Sequence, residues 1–124
     1  KFEYNNMEVS DTTIDSNGRI NISVTIKNTG KRKGKETVQL YIRDKYGSIV
    51  RPVKELKDFQ KISLEPGQSK TITFQQNIKD WGYYNNQGEY LLEPGSFEIM
   101  IGRNSRQIEF NKEVQYSPGK SQAG

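Results

Sequence analysis

The sequence predicts an all-β domain made of two antiparallel sheets packed face to face, with about seven or eight short strands. Three observations lead there. Apolar and polar residues alternate, most strictly where Ile20, Ile22, Val24 and Ile26 interleave with Asn21, Ser23, Thr25 and Lys27. That two-residue period belongs to a strand with one buried face. Turn residues recur about every 8–12 positions, the spacing of a sandwich. No segment carries a convincing helical period. The length, 124 residues, suits one domain. Leu, Ile, Val and Phe supply 28 of those residues, just above the roughly 20% floor below which chains are usually disordered. Order must therefore come from patterning.

The elements follow in turn. Residues 2–9 form a first strand, less regular than the rest. Asn17-Gly18 is a tight turn, since both types tolerate positive φ. Residues 19–28 are the strictly alternating strand. Asn28-Thr29-Gly30 then leads into Lys31, Arg32, Lys33 and Lys35 at a loop tip. In 37–44, Val38, Leu40 and Ile42 share one face, with Gln39, Tyr41 and Arg43 on the other. Residues 45–48 break the pattern. Residues 49–53 contain Pro52, which cannot donate a ladder bond, so they read as an edge or loop. Alternation resumes over 58–64 through Gln60, Ile62 and Leu64.

Glu65-Pro66-Gly67-Gln68 has the type II signature, Pro second and Gly third. Residues 70–76 put Ile72 and Phe74 inward. Residues 78–84 form at most one helical turn. Glu93-Pro94-Gly95-Ser96 repeats the turn grammar before Phe97, Ile99 and Ile101. Residues 102–105 turn the chain into a last strand, 107–114, with Ile108 and Phe110 on one face. The sandwich, immunoglobulin-like in type, thus occupies residues 1–116, and 117–124 form a flexible tail. The Cys…Trp…Cys spacing of true immunoglobulin domains is absent.

Composition excludes much chemistry. There is no Cys and no His. Disulfides, thiol nucleophiles, imidazole bases and Ser-His-Asp triads are ruled out, and zinc loses its usual ligands. No cofactor is implied. A calcium loop would need an acidic run that the sequence lacks. No stretch approaches a membrane span. No signal peptide is visible and the chain does not start with Met, so residue 1 reads as a cut in a longer protein. The net charge is +4, partly in the lysine-rich tip. Nucleic acid is not an expected partner, because no aromatics interleave with those lysines as a base-stacking platform requires. The plainer reading is a solvated hairpin loop.

Three sets of residues are site candidates. A glycosidase needs two facing carboxylates. Of Asp44, Glu55, Asp58, Asp80, Glu89 and Glu93, nearly all lie in turns or at outward positions, and no spacing singles out a pair. The chain by itself is therefore not expected to be an enzyme. Trp81, Tyr83, Tyr84 and Tyr90 cluster with Asn85, Asn86 and Gln87. They could stack on sugar rings and bond hydroxyls, as a polysaccharide-binding face. Equally, Trp81 and one or two tyrosines could cover a core edge or a neighbouring domain. Finally, residues 50–59 are long for a connection and mix charge with Val53, Leu56 and Phe59. Apolar anchors and a forked Arg could make an interdomain contact. The other reading is a kinked edge strand and its crossover.

The residues also carry a resemblance. Val24-Thr25-Ile26-Lys27-Asn28-Thr29-Gly30, then Gly34 to Asp44, Arg51 to Lys61, Leu64 to Ser69, and Glu93 to Phe97 occur in one family's order. The chain from about Phe2 to about Val114 resembles the fibronectin type III-like domain at the C-terminus of family 3 glycoside hydrolases, such as β-glucosidases and β-xylosidases. Gly102 to Ile108 is similar to the family's G-x-S-S-R-x-I run, with Asn104 for the first Ser. Asp58 stands where the family usually has Gly, and Tyr90 where Trp is common.

The resemblance implies that nucleophile and acid lie in other domains, and that this module is a non-catalytic accessory. It would pack on the catalytic domains, its main partner, and help shape the substrate entrance. By position, Arg51, Pro52, Lys54, Glu55, Leu56 and Phe59 would face them. The alternative is a glycan-binding module using Trp81, Tyr83, Tyr84 and Tyr90. Such enzymes act on external or imported glycans, which suggests a secreted or periplasmic bacterial location.

Overall fold

A computed structural model describes residues 1–10, 13–14, 17–44 and 54–117. The expected edge at 49–53, with Arg51 and Pro52, lies outside them, as does the tail beyond Ser117. Two sheets form the sandwich. The smaller joins β1 (Phe2–Val9), β3 (Arg19–Asn28) and β6 (Ser69–Asn77) in the order β1-β3-β6. The larger contains β2 (Thr13–Ile14), β4 (Gly34–Asp44), β5 (Glu55–Leu64), β9 (Gly95–Gly102) and β10 (Ile108–Tyr116). Its order is β2-β10-β9-β4-β5. Between β6 and β9 run a 3₁₀ turn (Ile78–Trp81) and a small hairpin, β7 (Tyr83–Tyr84) with β8 (Tyr90–Leu91). Among the described residues, seven strands of eight to eleven residues fall within the expected count, and three two-residue strands add to them. One pairing departs from the antiparallel expectation: β2 runs parallel to β10.

The core lies where the alternation put it. Ile20, Ile22, Val24 and Ile26 of β3 are buried against Val38, Leu40 and Ile42 of β4 and Phe97, Ile99 and Ile101 of β9, with Ile72 and Phe74 of β6. Each such burial stabilises by about 1.5–3 kcal/mol relative to exposure. The outward rows of β3 and β6 are polar, and Thr25 and Thr71 bond across them at 2.8 Å.

Three strands carry an extra residue. In β1 the register shifts between Asn5 and Glu8, and Asn6 adopts φ 55°. The buried side therefore passes from Phe2 and Tyr4 to Met7 and Val9. In β5, Leu40 faces Asp58 while Tyr41 faces Leu56, so Lys57 is the surplus residue. In β10, Ile108 faces Gly102 while Phe110 faces Ile101. This corrects the expectation that Ile108 and Phe110 share a face. Phe110 packs on the core, and Ile108 lies over Gly102, whose missing Cβ would come within 2.9 Å of its Cδ1.

The turns also sort themselves. Gly67 has φ 80° and Gln68 N–H donates to Glu65 O at 3.0 Å, as a type II turn requires. The second Glu-Pro-Gly does not repeat it. Gly95 has φ 144° and already pairs with Tyr116. The lysine-rich tip joins β3 in one sheet to β4 in the other, so it is an inter-sheet connection rather than a hairpin. Its four basic side chains are exposed.

Candidate functional site: the open edge of the larger sheet

Among the described residues, β5 is the last strand of its sheet and pairs with β4 alone. Glu55, Leu56 and Phe59 lie on this strand, in line with the edge-strand reading of residues 50–59, and Lys54 immediately precedes it. The surplus residue at Lys57 reverses the alternation, so Leu56 and Phe59 come to the same outward face. They are 49% and 51% exposed. Beside Leu56 in the same rung lie Tyr41 and Met100. Both are buried, yet neither belongs to the core cluster. Lys54 Nζ sits 6.0 Å from the Tyr41 ring centre.

The bulge is tied down by polar groups. Asp58 Oδ1 accepts from Phe59 N–H at 2.8 Å, and Oδ2 accepts from Gln76 at 3.4 Å. Asp58 is absent from the residues with positive φ. The backbone here thus does not need the Gly usual in the family. Lys57 Nζ pairs with Glu55 at 3.2 Å and donates to Asp80 O at 2.8 Å. That bond fastens β5 to the 3₁₀ turn. Gln60 Nε2 donates to Thr73 O at 2.8 Å, bridging to the edge of the other sheet.

The four aromatics of the crossover do not form one face. Trp81 is buried, its ring 5.5 Å from that of Phe97, and its indole N–H donates to Gln76 Oε1 at 3.1 Å. Tyr83 is buried as well, with its hydroxyl donating to Glu93 at 3.2 Å. Neither ring is presented to a sugar. Tyr84 and Tyr90 remain, 70% and 44% exposed. Their rings meet edge to face, with centres 5.0 Å apart. The Tyr90 hydroxyl donates to Lys79 O at 2.6 Å and accepts from Gly82 N–H at 2.8 Å. Asn85 is committed to its own loop: Oδ1 accepts from the Gln87 and Glu89 amides, both at 2.9 Å, and Nδ2 donates to Glu89.

Four of the six candidate carboxylates hold structure. Glu55 pairs with Lys57, Asp58 caps its bulge, Glu89 closes a loop and Glu93 takes the Tyr83 proton. Among the described residues no three Asp or Glu side chains gather into a metal cage, and no helix is long and apolar enough to cross a membrane.

At the opposite end sits a network that sequence reasoning missed. Arg103 donates to Glu36 at 3.2 Å, to Glu109 at 2.9 Å and to the Phe2 carbonyl. Its guanidinium lies 4.7 Å from the Tyr4 ring centre, and Tyr4 O–H donates to Glu36 at 2.7 Å. Burial works against the Arg103 charge, but Glu109 and Glu36 outweigh it and hold the group above its ordinary value. Nothing local marks these residues, since β1, β4, β9 and β10 bring them together from distant positions.

The family described as Fibronectin type III-like domain matches residues 36–105. The thermostable β-glucosidase B of Acetivibrio thermocellus is 46% identical over 93% of this chain, which covers 15% of that protein. The periplasmic β-glucosidase of Salmonella typhimurium is 41% identical over 85% of this chain and 14% of its own length. A solved β-glucosidase structure from Erythrobacter marinus superposes with a TM-score of 0.87 at 37% identity, over 94% of this chain and 15% of that one. The chain spans about 15% of the length of the relatives it matches.

Proposed function

As the chain belongs to the fibronectin type III-like family, in the form found in family 3 glycoside hydrolases, we propose that it is a non-catalytic accessory module of a β-glycosidase. Its work is to pack on and stabilise the catalytic domains and to shape the substrate entrance. The supporting observation is the β5 edge, where Leu56 and Phe59 stand half exposed beside a strand that, among the described residues, is paired on one side alone. A soluble domain rarely leaves such an edge uncovered. Lys54 and Glu55 flank these anchors, and Arg51 and Pro52 precede them in sequence. Glu55, Asp58, Glu89 and Glu93 are spent on structure, which supports placing the reacting pair elsewhere in the parent. A secreted or periplasmic location fits the periplasmic relative.

The test is thermal unfolding of the intact parent enzyme carrying Phe59→Ala or Leu56→Ala. We expect its midpoint to fall while the isolated chain, where both side chains already face water, keeps its own. An unchanged midpoint in the parent would overturn the reading.

A further inference from the structure

We infer that Tyr84 and Tyr90 belong to the same docking surface as Leu56 and Phe59, and that the remainder of the parent polypeptide, rather than a glycan, covers all four. This rests on the accessory-module reading above. Leu56, Phe59, Tyr84 and Tyr90 are the large hydrophobic side chains that the described residues expose. The strand that carries Leu56 and Phe59 and the hairpin that carries Tyr84 and Tyr90 are tied to one short segment. Lys57 reaches from the bulge to Asp80 O, and Tyr90 O–H bonds the carbonyl of Lys79 next to it. The Tyr90 phenol is pushed up, first by burial and then by negative neighbours that include Asp80 and Glu55. Of these neighbours, Glu55 belongs to β5. Two aromatic sites become one surface along the sheet edge.

The geometry disfavours sugar stacking. A platform needs ring faces lying side by side, whereas these two rings stand at 62° to each other. The Tyr90 hydroxyl is committed in both directions and Asn85 is locked into its loop. Of the two rings, Tyr84 projects further, 70% exposed against 44%. A projecting aromatic suits insertion into a protein pocket. About 85% of the matched relatives' length lies outside the aligned part, ample polypeptide to supply that pocket.

The experiment compares Tyr84→Ala, Phe59→Ala and the double variant, in the intact parent enzyme and in the isolated chain, with circular dichroism to confirm folding. Glycan pull-down on cellulose, xylan and laminarin runs alongside. We expect both single variants to lower the parent's unfolding midpoint by several degrees and to leave the isolated chain within experimental scatter, with no glycan retained. If Phe59→Ala lowers the midpoint and Tyr84→Ala does not, the surface ends at β5 and the inference falls while the accessory role stands. If neither lowers it, the accessory reading itself falls. Glycan retention by the isolated chain that Tyr84→Ala abolishes would overturn the inference in favour of a sugar site.

Discussion

Asn28 is fully buried, and its side chain joins two loops. Oδ1 accepts from Gly30 N–H at 2.8 Å, and Nδ2 donates to the carbonyls of Arg32 and Leu64, each at 2.9 Å. Its backbone N–H and carbonyl pair with Gln68 and Gly67 across the type II turn. Asn28→Ala would strand a buried carbonyl at Leu64, and one such loss costs about 1–3 kcal/mol. Urea denaturation should show that fall, and Asn28→Asp should not restore it, because an oxygen would then face both carbonyls. Tyr4 makes a second prediction. Its phenol is pushed well up, first by burial and then by its bond to Glu36. Below the ordinary value of 10.0 the phenol is protonated folded and unfolded alike, so the contribution is complete. Above it the unfolded chain ionises while the native phenol does not, and stability falls as pH rises. Tyr4→Phe should flatten that fall by up to about 1.4 kcal/mol per pH unit between alkaline titrations of the two proteins.

The strands divide by how plainly they could be read. In β3, β6 and β9 the alternation in sequence is the alternation in space, as Ile20 to Ile26 show. β1, β5 and β10 each carry a surplus residue, and each lies at or next to a sheet edge. Edges favour bulges because one side of the ladder is free. A bulge reverses the side-chain period without changing composition, so Leu56 and Phe59, three apart, share a face that sequence parity would deny them. Turn chemistry has the same limit: two Glu-Pro-Gly runs give different backbones because Gly95 is already drawn into β9. Two glycines separate strain from crowding. Gly67 has positive φ with open space around it. Gly67→Ala should therefore cost about 1 kcal/mol from backbone strain. Gly82 has φ −80°, yet a Cβ there would lie 2.3 Å from Leu91 O and 2.8 Å from the Tyr90 ring. Gly82→Ala should cost more than Gly67→Ala, and near-UV dichroism should report loosening around Trp81.

At the scale of the molecule, the sandwich and its resemblance were legible because strand period and turn spacing are local signals. The surface was legible only in part. Leu56 and Phe59 stood out as apolar residues amid charge, but the burial of Trp81 and Tyr83 depends on Phe97, Gln76 and Glu93, which tertiary packing brings in. The Arg103 network was invisible for the same reason. The sandwich then has two unlike ends of its larger sheet. At one, β2 covers β10, with Ser117 N–H donating to Ile14 O at 2.9 Å. At the other, no described strand pairs with the outer side of β5, and Leu56 and Phe59 stand beside it. Separated from whatever covers it, that side can pair with the same edge of a second copy, since unpaired strand groups and apolar side chains both favour addition. The isolated chain should accordingly self-associate as its concentration rises. A charge on the edge opposes such pairing. Phe59→Lys should shift sedimentation toward the monomer, while urea denaturation moves by no more than about 0.5 kcal/mol, the range of exposed substitutions. A wild-type chain that stays monomeric at every concentration would show that the bulge and its bound Asp58 already blunt the edge, and the exposed pair would need another cause.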